Sequence, residues 1–432
     1  MASHTLLSPT KIAKEALRLF KNNLVMGGLV YRDYETEFPG MPKAGGSVRI
    51  RKPVQFQVAK TRVRSTKTIT EQYITLEVAT QAHVSWQFYT KDLTLTIEEY
   101  SERYIRPAAM VLANTVDADL CDLYKDVPNQ ICESTAGFVT PHSFMILGRA
   151  MQALDENAIP PDDRVVVFNP AAHWTMANAL SNWNFKEGGE MALRKGYLGQ
   201  IAGADIFMDQ NIKAHTVGTW ATDSAAMSSA ARFKVQSTAD SVSGAGLPTG
   251  AAVNVSQNQK ILINGFNNSS GVDSLTAGDT FTIAACYAVN PMSGESTGTL
   301  RSFVVTTAAK VTVSTTDMDT MVSFYPEMIH TGPYKTVDTI PQLEAAVQVM
   351  GVPAEPYPQN LAFHKNAFAL CMVPLQVPDG VWSGSASEDG YSIRVVKQYE
   401  IDIDAEMIRM DILYGVESIY PEMAVRIMGG QG

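Results

Sequence analysis

Apolar residues recur at helical spacing near the start of the chain, where Ile12, Ala13, Ala16, Leu17 and Phe20 follow Ser8 and Pro9, a cap and first-turn pair. One short amphipathic helix is predicted there, docked either on its own domain or, as an arm, on a neighbouring chain. The period then drops to two. Val48, Ile50, Val54, Phe56 and Val58 alternate with polar residues, and a second run covers Tyr73, Thr75, Glu77, Ala82, Val84, Trp86 and Phe88. Joined through Lys60 to Thr70, the two runs predict a long β-arm. A hairpin with so little apolar content at its tip is not stable alone, so it must lie against another surface. Helical spacing returns behind a capping-box pair, Thr96 and Glu99, and apolar positions from Ile97 through Leu112 to Tyr124 predict a helix over Ile97 to Val127. Such a helix is about 45 Å long at 1.5 Å per residue. Pro107 is expected to kink or divide it.

A mixed layer follows. Thr140 and Pro141 open a helix through Leu154, Val165 to Phe168 form a short buried strand, and Ala171 to Leu180 form a further helix, the pattern of a compact α/β layer. From Thr216 to Tyr325 the texture changes: 31 of these residues are Ser or Thr, nine are Gly and only 12 are charged. Strand signals at Lys260 to Ile263, Thr280 to Ala284 and Ser302 to Thr306, spaced by Gly265, Gly271, Gly278 and Gly294, predict a small inserted β-barrel or sandwich. Beyond it, helices are predicted around Gln342 to Met350 and Lys365 to Leu370. Strands are predicted at Ser392 to Val396, Tyr399 to Ile403, Met407 to Tyr414 and Ala424 to Met428, the last returning to pair with strands laid down much earlier. The fold class is α+β.

Charge changes the picture in one place. The chain carries 34 Lys and Arg against 44 Asp and Glu, a net charge of −10 that excludes a sequence-wide basic coat for nucleic acid. Yet Phe38 to Thr70 holds no acid and eight cations. Three readings stay open for that run: a solvated face, contact with an acidic neighbouring subunit, or contact with phosphates. Arg49, Arg51, Arg62, Arg64 and Lys67 are the candidate intersubunit contacts, because these cations have no acid within the run to neutralise them. On the N-terminal helix, Lys11, Lys14 and Arg18 are candidate arm contacts, against the plainer reading of a solvated helix face.

No catalytic constellation emerges. Seven scattered histidines, four irregularly spaced cysteines and acids such as Asp155, Glu156, Asp162 and Asp163 at a helix end and turn give no metal site, disulfide framework or paired-carboxylate signature. No cofactor and no enzymatic activity are expected. The most apolar stretch, Leu24 to Tyr31, is far shorter than the roughly 20 residues of a membrane span. A soluble, unexported chain in a reducing compartment is expected.

Four longer strings carry a resemblance: LDENAIPPDDRVVVFNPAAH at Leu154 to His173, GYLGQIAGADIFMDQNI at Gly196 to Ile212, NLAFHKNAFAL at Asn360 to Leu370, and RMDILYGVESIYPEMAVRI at Arg409 to Ile427. In this order they resemble major capsid proteins of tailed double-stranded DNA bacteriophages. With the inserted β-region, the chain is most similar to the short-tailed phage coat proteins that carry an extra domain on the Hong Kong phage 97-like fold. The resemblance implies an N-terminal arm (1–42), an extended β-hairpin loop (43–95) and a spine helix with peripheral domain (96–136). It further implies an axial α/β domain (137–215), the inserted β-domain (216–325), a return to the axial domain (326–391) and C-terminal strands of the peripheral domain (392–432). It also implies assembly into hexamers and pentamers of an icosahedral shell with scaffolding and portal partners, in the host cytoplasm. The shell would enclose double-stranded DNA without specific binding, and no membrane is involved. A bacterial nanocompartment shell of the same fold and a carbohydrate-binding module built on the β-insertion are the competing readings.

Overall fold

A computed structural model describes residues 9–34, 46–56, 60, 62, 71–89, 101–132, 140–181, 198–219, 233–237, 253–254, 259–264, 273–313, 318–342, 345–378, 380–402 and 405–429. They form two compact units.

The first unit draws on 1–50, 75–121 and 368–419. Its helix α1 (Pro9–Asn23) buries Ile12, Ala13, Ala16, Leu17 and Phe20, the predicted face, against the antiparallel strands Trp382–Glu388 and Tyr391–Glu400. The helix therefore docks on its own unit. Phe20 meets Tyr391 edge to face at 5.9 Å, and Gly384 leaves room for the helix start, since a Cβ there would lie 2.6 Å from the Thr10 amide nitrogen. A short helix α2 (Met26–Leu29) has no cap of its own; the buried Asp117 carboxylate accepts the Val25 and Gly27 amides, both at 2.8 Å. Asp117 belongs to α3 (Arg106–Asp122), whose other buried residues include Leu112, Ala113, Val116 and Leu120. Pro107 does not break α3, because it sits in the first turn, where its missing N–H has no intrahelical partner to lose. A π-helical turn, Ser101–Ile105, leads in and a 3-10 turn, Leu123–Asp126, leads out, so at about 26 Å α3 is shorter than the predicted beam. The capping pair Thr96 and Glu99 lies outside the described residues.

The unit's sheet centres on the strand Ala405–Ser418. Thr80–Tyr89 and Phe368–Met372 pair with successive parts of one edge, and Tyr391–Glu400 then Trp382–Glu388 follow on the other, all antiparallel. Three sequence expectations are corrected here. The second alternating run is two strands, Gln72–Glu77 and Thr80–Tyr89, and only the first pairs with Ser47–Arg51. The helix expected at Lys365 to Leu370 is a 3-10 turn, Lys365–Ala367, followed by the fully buried strand Phe368–Met372, because a short continuous apolar run carries no period of its own. Ser392 to Val396 and Tyr399 onward form one strand ending at Glu400, and Ile401 is 83% exposed in the turn beyond it.

The second unit draws on 51–74, 122–367 and 420–432. Its six-stranded sheet runs Asn129–Cys132, Ala424–Met428, Asn360–His364, Arg164–Phe168, Ala204–Met208 and Gln200–Ile201. The three strands after the first are buried at every residue. Ala424–Met428 pairs parallel with Asn129–Cys132, the return of the C-terminus to an early strand. Helices α4 (Phe144–Glu156) and α5 (Pro170–Ser181) cover the sheet, with Ile146, Leu147, Met151 and Leu154 packed on Val166, Phe168, Val425 and Ile427. Each such side chain contributes about 1.5–3 kcal/mol. The cap of α4 is Ser143, whose Oγ accepts the Met145 amide, rather than Thr140.

The same unit contains a closed barrel. Its ring runs Gln259–Asn264, Phe233–Ser237, Ala346–Val349, Thr280–Val289, Ser296–Val305 and Met318–Tyr325, which pairs back with Gln259–Asn264; Ala309–Val313 and Asp273–Leu275 extend one side. Phe281, Phe303 and Phe324 meet at the centre with ring centroids 5.3–6.0 Å apart. The helix expected at Gln342 to Met350 is instead the strand Ala346–Val349, which buries Val347 and Val349 and pairs with both Thr280–Val289 and Phe233–Ser237. Barrel closure removes a sheet edge. A fragment of residues 216–325 lacks this stave, so it is expected to melt without cooperativity, whereas 216–350 is expected to give a cooperative thermal transition; calorimetry of the two fragments checks this.

Candidate assembly surfaces

The outer face of α1 carries Lys11, Lys14 and Arg18 at i, i+3 and i+7, all exposed. Arg18 is engaged by its own helix: its guanidinium lies 2.6 Å from Glu15 Oε1, and that bond raises its pKa. The neighbouring Lys21 reaches Asp389 at 2.5 Å and Glu388 at 3.6 Å, which pins the helix end to the turn between the two outer strands. Lys11 and Lys14 thus face outward from a helix whose apolar side is already covered.

The basic run folds back through hydrogen bonds from the Lys52 amide to Gln72 O, at 2.8 Å, and from the Val78 amide to Gly46 O, at 2.7 Å. This return corrects the expectation that the run has no local counter-charge. The acid-free stretch ends at Thr70, and the next residue, Glu71, lies 3.2 Å from Arg51. Both side chains are largely exposed, so the pair contributes at most about 1 kcal/mol. Lys52 Nζ stands 5.3 Å from the Tyr420 ring centroid. Arg49 and Arg62 are exposed. Val54 and Phe56 are not in a strand, and Phe56 is 78% exposed. Val58, Arg64 and Lys67 lie outside the described residues. Of the three candidate cations among the described residues, Arg49 and Arg51 lie on one strand, Ser47–Arg51, and Arg62 does not.

Sequence reasoning missed the buried polar groups that hold each unit. In the first unit Asp411 is fully buried, with Arg394 at 2.6 Å and Arg409 at 2.5 Å. In the second, the Asp279 carboxylate takes His215 Nε2 at 2.8 Å, the Thr276 amide at 2.7 Å and the Gly218 amide at 3.1 Å, while His215 Nδ1 meets the Tyr124 hydroxyl at 3.0 Å. This tyrosine–histidine–aspartate series has the order of a nucleophile and its relay. Its burial argues for structure instead: Tyr124, His215 and Asp279 are 3%, 7% and 2% exposed, and burial pushes the Tyr124 hydroxyl up to about 12, away from activation. Beside it, fully buried Arg426 donates to Gly278 O at 2.7 Å, and burial lowers its pKa to about 10. No sequence signal marked these groups. His215 and Asp279 stand 64 residues apart and become neighbours only through the fold.

Asp209 offers a pH test. It is 3% exposed, Oδ1 accepts the Asn211 amide at 2.8 Å, Oδ2 has no partner, and burial raises its pKa above the ordinary 3.8. A carboxyl whose folded pKa is raised stabilises the fold when protonated, and that stability is lost as pH rises from about 3.8 through the folded value. Asp209→Asn keeps the bond to Asn211 and removes the buried charge, so it is expected to match wild type below about pH 4 and to exceed it by about 1 kcal/mol at pH 7. Urea titrations at pH 4 and pH 7 check the sign.

Among the described residues no group of three or more His, Cys, Asp or Glu stands together to hold a metal, and no helix is long and apolar enough to cross a membrane. The family model described as "P22 coat protein - gene protein 5" matches residues 1–430. The major capsid protein of Acyrthosiphon pisum secondary endosymbiont phage 1 is 26% identical over 160 residues, 36% of this chain and 38% of that relative, so the match spans about two fifths of the relative's length. Among solved structures, one of Mycobacterium phage Che8 covers 94% of this chain and 90% of its own, at 15% identity and a TM-score of 0.47. The capsid of cyanophage P-SCSP1u covers 90% and 85%, at 10% identity and a TM-score of 0.43.

Proposed function

From its membership of the P22 coat protein family, to which a match over residues 1–430 assigns this chain, we propose that the protein is the major capsid protein of a tailed phage, a structural subunit that assembles into hexamers and pentamers of a closed shell around double-stranded DNA. The full-length family match is the observation that carries this reading. Each of the two units packs a core of its own, the barrel included, and the polar groups brought together inside each unit serve packing, as befits a structural subunit. The nanocompartment reading is not favoured, because the family match runs through the inserted barrel. A scaffolding protein, a portal and enclosure of the genome without specific binding belong to the same proposal, as does the division into arm, extended loop, spine helix, axial and peripheral parts and insertion. The insertion is extended here to take in Ala346–Val349. Electron microscopy of purified protein mixed with a scaffolding partner tests the reading: closed shells of uniform size are expected, and a persistent monomer under all assembly conditions overturns it.

Within that proposal, Arg49, Arg62, Arg64 and Lys67 remain the intersubunit cations, with Arg51 partly committed to Glu71, and Lys11 and Lys14 remain the outward cations of the arm. Reversing Arg62 and Arg64 to Glu is expected to lower shell yield and to flatten its dependence on salt, since the screened attraction is then gone. Light scattering across 50–500 mM NaCl measures both, and an unchanged salt profile removes these residues from the interface.

A further inference from the structure

A cleft of about 520 Å³ opens in the second unit between the barrel strand Ser296–Val305 and helix α4. Two arginines line it. Arg301 is 5% exposed; its Nη1 reaches Asn157 Oδ1 only at 3.4 Å, and its Nε has no hydrogen-bond partner. Arg149, on α4, is exposed at the same cleft. Among the described residues of the lining the one carboxylate, Glu156, is already engaged, Oε1 by Gln152 at 2.7 Å and Oε2 by Thr299 at 3.0 Å. Glu422 opposes the charge of Arg301 from outside the lining, but that carboxylate accepts the Tyr325 hydroxyl at 2.5 Å, and burial still lowers the Arg301 pKa. A guanidinium N–H held away from water without a partner is unfavourable, and an arriving carboxylate relieves that with a charge-assisted bond.

We propose that this cleft binds a carboxylate side chain carried on an acidic peptide segment of another chain. Among the described residues of the lining, two guanidinium groups stand against one carboxylate, a modest positive excess that suits a monoanion better than a phosphate dianion. Gln152 Nε2 and Asn157 Nδ2 are held by Glu156 and by Ala153 O, at 2.7 and 2.9 Å, while the exposed amide of Gln348 offers both a donor and an acceptor to a peptide backbone. The volume lies within the range of about 300–1,000 Å³ that encloses small ligands, enough for a segment of a few residues. The chain itself, with ten more acids than cations, supplies such segments in a second copy, so the site deepens the shell reading without depending on it.

Calorimetric titration of the unassembled full-length protein tests the site with three probes: the blocked tripeptide acetyl-Glu-Asp-Glu-amide, its uncharged counterpart acetyl-Gln-Asn-Gln-amide, and inorganic phosphate. Saturable binding of the acidic peptide is expected, at least tenfold tighter than either of the others, and at least tenfold weaker in Arg301→Met. Should that variant fail to fold, Arg149→Gln, which changes an exposed side chain, carries the same expectation. Equal binding of the uncharged peptide, preference for phosphate, no binding at all, or an affinity unchanged in Arg149→Gln overturns the proposal. Because no shell forms in this assay, its failure leaves the assembly reading untouched, and a failure to assemble leaves the binding result untouched.

Discussion

Gly415→Ala is expected to prevent the first unit from folding. A Cβ at this position would stand 2.1 Å from Glu77 O, 2.9 Å from Glu77 C and 3.0 Å from Val78 Cα, all backbone atoms that no rotamer change can move aside. The crossing is built into the topology. Tyr414 pairs with Thr80 at the last rung of the ladder between Ala405–Ser418 and Thr80–Tyr89, and the chain reaches that ladder by passing Glu77 and Val78 over Gly415. Relief requires displacing one strand from the other, at a cost of about 3 kcal/mol or more. Gly384→Ala, with its Cβ 2.6 Å from the Thr10 nitrogen, is expected to behave similarly but to lift only the start of α1. Gly148→Ala is the control: it lies inside α4 with nothing within 4 Å of its Cβ and is expected to stabilise by about 0.5–1 kcal/mol. Soluble yield and urea midpoints of the three variants rank them, and a Gly415→Ala protein as stable as the control would show that the strands can part freely.

The sequence was legible where a period was sustained or a buried strand was bounded. Helix α1 shows the predicted five-residue face, Ala424–Met428 matches its expected limits, and Arg164–Phe168 and α5 differ by a residue or so at their ends. It was not legible where the element is short and its partner is distant. Val347, Gln348 and Val349 alternate for too few residues to separate strand from helix, and only pairing with segments more than 60 residues away makes them a stave of the barrel. Phe368–Met372 is apolar throughout, and its strand character comes from Ala405–Ser418. The assembly surfaces were legible as charge and not as geometry: the eight cations were visible, but the counter-charge of Arg51 came from the first acid beyond the run, once the chain turned back. The buried polar groups were invisible for a different reason. Asp279 follows Gly278 and reads as a turn, and His215 reads as an isolated histidine, which is true of each until the barrel is closed.

That last pair carries the other large effect. Asp279→Asn is expected to destabilise the second unit by about 2–4 kcal/mol, although the two side chains have nearly the same shape. Oδ1 faces His215 Nε2, and Oδ2 faces the Thr276 and Gly218 amides and, at 3.2 Å, the Thr276 hydroxyl. An asparagine must point its NH₂ at one side or the other. Toward the amides, donor meets donor and two backbone groups are left without an acceptor. Toward the histidine, the ring must shift its proton to Nδ1, and Tyr124, whose hydroxyl is pushed up to about 12 by burial, then has to turn its own proton away from the ring. The aspartate meets these donors all at once, so the carboxylate rather than its volume is what the site selects. Tyr124→Phe, which removes only the outermost bond, is expected to cost about 1 kcal/mol. Urea unfolding gives the totals, and hydrogen exchange at the Gly218 and Thr276 amides locates the loss. If Asp279→Asn lies within about 0.5 kcal/mol of wild type, the carboxylate is not the group that joins His215 to the barrel.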